Sequence, residues 1–85
     1  MGFVVTGDLL TDLQQSIENQ QAMHISYVDR KGQSSDRRIA PIELRGDRVY
    51  CIDLEKMGLR LFILNQITSF DVLDENFDKN TLVVQ

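Results

Sequence analysis

The sequence predicts a mainly β, α+β fold: a small five-stranded antiparallel barrel with an N-terminal amphipathic helix. Three observations predict it. Apolar residues recur at helical spacing only near the start of the chain. From Met23 they recur with a period of two, in short runs separated by turn residues. The alternation then slips by one residue at Pro41, as it does where a bulge bends a strand so that a sheet can close.

The helix covers about 7–20. Leu9, Leu10, Leu13 and Ile17 form one face, and glutamines and acids fill the rest. Thr6 or Asp8 serves as N-cap, Asp8 and Asp12 favour the positive end of the helix, and Asn19 is a C-terminal stop. Upstream, FVV (3–5) has room only for a minor strand.

MHISYV (23–28) sets Met23, Ile25 and Tyr27 against His24 and Ser26. DRKGQ (29–33) is a hairpin loop with Gly32 in the left-handed position. A long strand over 35–45 contains Pro41, which has no N–H for a ladder and therefore marks an edge or a bulge. GD (46–47) is a tight turn before RVYCIDL (48–54). A loop through 55–58 leads to LRLFIL (59–64), and ITSFDVL (67–73) follows a break at Asn65 and Gln66. A short strand at 82–84 ends the reading. The whole chain, 1–85, is one domain, with the barrel over about 23–77 and a short C-terminal tail.

Composition excludes several classes. The chain is 42% hydrophobic and 26% charged, as an ordinary soluble domain is. No apolar run approaches the ~20 residues that span a bilayer, so no membrane partner is expected. The start lacks a basic region before its apolar residues, and a single cysteine suits a reducing compartment, so a cytoplasmic location is expected. Net charge is −4, but residues 30–48 carry six cations against three acids, a local +3, while the remainder carries three against ten. Such a chain is a poor non-specific nucleic-acid binder, although it can grip a few phosphates locally.

Catalytic patterns are missing. There is no Ser–His–Asp set, HExxH, P-loop or GxGxxG, so an enzyme is not expected. His24 lies on the polar side of its strand without a companion at metal-ligand spacing. Cys51 reads as a small buried thiol. Asp71, Asp74, Glu75 and Asp78 lack the order and central glycine of a calcium loop. Neither a metal nor a cofactor is expected.

A series of spaced features over 17–77 resembles the WYL domain, a bacterial module with an SH3-like or Sm-like barrel. ISYVDRKG is similar to the opening strand and turn. RRIAP is similar to the family's R-x-x-x-P stretch, and LRGDRVYCID to the stretch that names the family. RLFILNQI is similar to R-x-F-R-L-D-R-I, and TSFDVLDENF to the closing strand. The resemblance implies a regulatory sensing module. Such domains often follow a winged-helix DNA-binding domain in transcription regulators, and bind anionic ligands such as single-stranded nucleic acid through a basic pocket. The implied ligand-binding positions are Tyr27, Arg37, Tyr50 and Arg60. The sequence departs from the pattern at Val49, which takes the place of the tryptophan, and at Ile63 and Gln66, which replace two arginines.

Each implied residue also has a plainer reading. Arg60 shares a side with Phe62 and Leu64; it either meets an anion at the barrel rim or bonds an internal carboxylate or strand-end carbonyls. Arg37 and Arg38 are a phosphate grip or a solvated face. Tyr27 and Tyr50 stack a base or belong to the core. Leu59, Leu61 and Ile63 make an apolar stripe on the outer side, and soluble monomers seldom expose large stripes. Either the helix covers it, or it is an interface to a protein partner or to a second copy in a homodimer. The rival to sensing is thus a structural interaction module with a vestigial pocket.

Overall fold

In the computed structural model, residues 7–77 are described; the readings for 3–5 and 82–84 lie outside them. The elements are α1 (Gly7–Asn19), β1 (Gln21–Val28), β2 (Ser34–Arg45), β3 (Arg48–Asp53), β4 (Gly58–Ile63), a 3₁₀ turn (Leu64–Gln66) and β5 (Ile67–Asn76). All the strand pairs are antiparallel, in the order β4-β3-β2-β1-β5. This is the predicted α+β architecture, with the five strands in one open sheet where the sequence predicts a barrel.

The order forces the sheet to curl. β4 and β5 are its two edges and do not pair with each other. In a flat sheet they would lie about 19 Å apart, at roughly 4.8 Å per strand. Yet only the three residues Leu64–Gln66 join them, and a 3₁₀ turn rises about 2 Å per residue. The two edges therefore meet at that corner. Pro41 supplies part of the bend. The β2–β3 register slips between Pro41 and Glu43, so Ile42 is the extra residue of a bulge and the alternation changes side there.

The concave side holds the core. Met23, Ile25, Ile39, Val49, Cys51, Phe62, Leu64 and Ile67 are buried there together with Leu9 and Leu13 of α1. The helix thus plugs the curl, lying chiefly against β2 and then β1 and β5. It ends where Gln20 adopts a left-handed conformation, φ 53°. Gly32 and Gly46 take the left-handed turn positions that the sequence assigns to them or their loops. Met57, a residue type that carries no turn signal, does so in the β3–β4 turn.

The helix does not cover the outer stripe. Leu59 is 69% exposed and Leu61 41%, while Ile63 is half-buried. Apolar spacing on α1 could not distinguish the two faces of the sheet; burial of both Leu9 and Leu13 on the concave side uses up the helix's strongest apolar positions.

Candidate functional site

Pairing register decides which implied residues share a side. Residues directly opposite on neighbouring strands point the same way. Arg37 is opposite Ile25, and Arg60 is opposite Cys51, so both guanidinium stems start on the concave side. Tyr27 packs against the core on that side too. Tyr50 is opposite Leu61 and starts on the outer side, where Arg45 lies over its ring at 5.5 Å. Three of the four residues therefore share a side, and Tyr50 is apart from them.

Arg37 is engaged internally. Its Nη1 donates to Oδ2 of Asp53 at 3.1 Å, and the two side chains are 24% and 1% exposed. Its Nε donates to Ser35 Oγ at 3.4 Å. The other oxygen of Asp53 accepts the backbone N–H groups of Glu55 at 3.0 Å and Lys56 at 3.2 Å, which pins the β3–β4 turn. Burial pushes the Asp53 carboxyl up. The two backbone donors and the Arg37 charge outweigh it, and the group ends below the usual carboxylate range. Sequence reasoning missed Asp53. Its signal was local: an aspartate closing a strand, two and three residues before free turn amides, is the Asx pattern.

Tyr27 works as a clasp. Its ring meets Phe62 edge to face, with centroids 4.7 Å apart. Its hydroxyl donates to Gln66 Oε1 and accepts the Ile63 N–H at 3.2 Å. One oxygen thereby ties β1 to the end of β4 and to the corner turn. Ile63 and Gln66 are the two positions where the sequence departs from the family's arginines, and here they hold the tyrosine. Tyr27→Phe leaves the half-buried Ile63 N–H without this acceptor. It is expected to cost about 1–2 kcal/mol, read as a lower urea midpoint at unchanged m-value.

Most of the basic stretch is neutralised. Arg38 pairs with Glu75 at 3.6 Å, Arg45 with Glu43 at 2.9 Å and Arg48 with Asp47 at 3.5 Å. Arg37 and Arg38 line a shallow groove with His24, Asp36 and Glu55, so two arginines there face two acids. Arg30, in the β1–β2 turn, and Arg60 differ. Both are exposed, no carboxylate lies within ion-pair distance of either among the described residues, and of the two only Arg60 starts on the concave side. Beside it, Cys51 is buried, and its thiol donates to the Arg60 carbonyl at 3.7 Å. Burial, aided by the Asp53 charge and opposed by Arg60, pushes that thiol up to about 12, so it is no nucleophile near neutral pH. Among the described residues no cluster of His, Cys, Asp and Glu could hold a metal ion. No helix among the described residues is long and apolar enough to cross a membrane.

Fold and site together define a class: a curled five-stranded sheet plugged by one helix, with Tyr27, Arg37, Tyr50 and Arg60 all on strands and not on long loops. The WYL domain model matches residues 8–72, and the chain belongs to the WYL domain family. Among solved structures it is similar to proteasome accessory factor B/C (PafBC) of Arthrobacter aurescens, at 17% identity and a TM-score of 0.78. That match covers 99% of this chain and 14% of the other, so this chain spans a small part of its neighbour's length. A search of curated proteins finds no match.

Proposed function

We propose that the protein is a non-enzymatic regulatory sensing module that takes an anionic ligand at Arg60, on the rim of the concave side. The observation that carries this reading is the contrast among arginines. Arg37, Arg38, Arg45 and Arg48 each have a carboxylate, whereas Arg30 and Arg60 are exposed and have none among the described residues; of these two, Arg30 lies in the β1–β2 turn and only Arg60 starts on the concave side. An exposed guanidinium without an internal counter-ion is free to donate its planar fork to a phosphate. Single-stranded nucleic acid is the ligand class to test first. Because one arginine carries the contact, binding is weak and salt-sensitive.

A labelled single strand titrated at low and moderate salt tests the proposal. Binding is expected at low salt, with Arg60→Ala abolishing it and leaving the thermal midpoint nearly unchanged, since exposed substitutions cost within about 0.5 kcal/mol. Equal affinity of the variant and the native chain sinks the assignment. The second reading is a structural interaction module, favoured by the exposure of Leu59 and Leu61 on the outer side.

A further inference from the structure

The two edges of the sheet are guarded very differently. β5 carries Asp71, Asp74 and Glu75, and its register with β1 is irregular in two places. Charges and bulges of this kind keep an edge from pairing with another chain. β4 has neither. Its register with β3 is unbroken from Gly58 to Ile63, and its one charge is Arg60. Of the four exposed large hydrophobics among the described residues, Met57, Leu59 and Leu61 lie on this edge or in the turn leading to it.

The backbone of β4 is also partly unspent. The Leu64 N–H donates to the Asp47 carbonyl at 2.8 Å, which fixes the even-numbered residues of β4 as those that bond β3. The odd-numbered residues point away, as the Ile63 N–H does in reaching Tyr27. With Ile63 taken, Leu59 and Leu61 remain as the residues whose amides and carbonyls face the open edge. They flank Arg60, so the edge reads Leu-Arg-Leu, a sequence palindromic about its centre.

We infer that this edge pairs with a second copy of the chain, about a two-fold axis through Arg60, and that a multivalent anion promotes the pairing. In that register Leu59 of one copy is opposite Leu61 of the other, on the same outer side. Both leucine pairs then exchange two backbone hydrogen bonds. A shift of one residue would place each apolar side against the other copy's concave side. The two arginines come directly opposite, with Cα atoms about 4.5 Å apart. Like charges at such a position repel, and an anion bridging the two guanidinium groups turns that repulsion into attraction. Acidic residues are absent from 57–64, so no like-charge acids meet at the junction.

The test is the mass of the full chain in solution, with inorganic pyrophosphate or with chloride at matched ionic strength. Pyrophosphate is expected to double the mass from 9.8 kDa and to lower the dimer dissociation constant about tenfold relative to chloride. Arg60→Ala is expected to dimerise equally in both salts. Leu59→Lys, at an exposed position, is expected to stay monomeric in both with an unchanged circular dichroism spectrum. A native chain that remains monomeric in pyrophosphate overturns the inference, as does a dimer indifferent to the anion or to Leu59→Lys. The anion arm rests on the reading of Arg60 given above. The two fail separately, because Leu59→Lys removes the dimer and leaves that guanidinium available to a single strand.

Discussion

Asp53→Ala is expected to destabilise the fold by about 3–5 kcal/mol, the range for breaking a buried ion pair from one side. The carboxylate is 1% exposed and serves three groups at once: the Arg37 guanidinium and the amides of Glu55 and Lys56. Truncation strands a three-quarters-buried cation and frees both turn amides. Asp53→Asn keeps an oxygen for the amides and loses the charge, so its cost is expected to be about half as large. The same carboxyl gives stability a pH dependence of known sign. Its folded-state pKa lies below the unfolded value of about 3.9. Its contribution is therefore fully present above about pH 4 and is lost as the pH falls through the folded value. Chemical denaturation of the native chain and Asp53→Asn between neutral and acid pH measures this. The gap between the two is expected to narrow as the carboxyl protonates, and a constant gap would show that folding does not lower the carboxyl's pKa.

Whether a feature was legible in the sequence depended on how far apart in the chain its partners lie. The helix was legible because Leu9 and Leu13 are one turn apart and need a single apolar surface. The bulge was legible because proline lacks an N–H, a property of one residue. Arg37 was legible as an arginine but not as a used one. Its carboxylate is 16 residues away, and the two meet only because the β2–β3 register sets Ile39 opposite Asp53, which brings Asp53 within diagonal reach. The Tyr27 clasp spans 36 and 39 residues and depends on the curl that brings β1 to the end of β4. Tyr50 was assigned with the other three from resemblance, whereas strand parity puts it on the outer side. Arg60 was the reverse case. Its core-side parity suggested burial, but β4 is an edge, and at an edge a long side chain on the concave side can still reach water.

Phe62→Ala is expected to cost about 3–5 kcal/mol, as large as the loss of Asp53 and for a different reason. Phe62 is 5% exposed, sits opposite Val49 and forms the wall against which the Tyr27 ring stands. Truncation therefore removes core volume and the edge-to-face contact together, and the ring it supported carries the hydroxyl that holds Ile63 and Gln66. The effects of the two residues should not add. Once Phe62 is gone, Tyr27 has less reason to hold its orientation, so Tyr27→Phe in that background is expected to cost less than in the native chain. A double-mutant cycle in urea reads this directly, with a coupling of about 0.5–1.5 kcal/mol expected for an aromatic pair in contact. Strict additivity would mean that the hydroxyl clasp stands without the aromatic wall, and that the β1–β4 closure is fixed by the corner turn alone. The coupled outcome has a consequence for the rim. Arg60 is two residues before Phe62 on the same side of β4. A loosened β4 spreads that guanidinium over more positions, so Phe62→Ala is expected to weaken single-strand binding at temperatures where the variant is still folded.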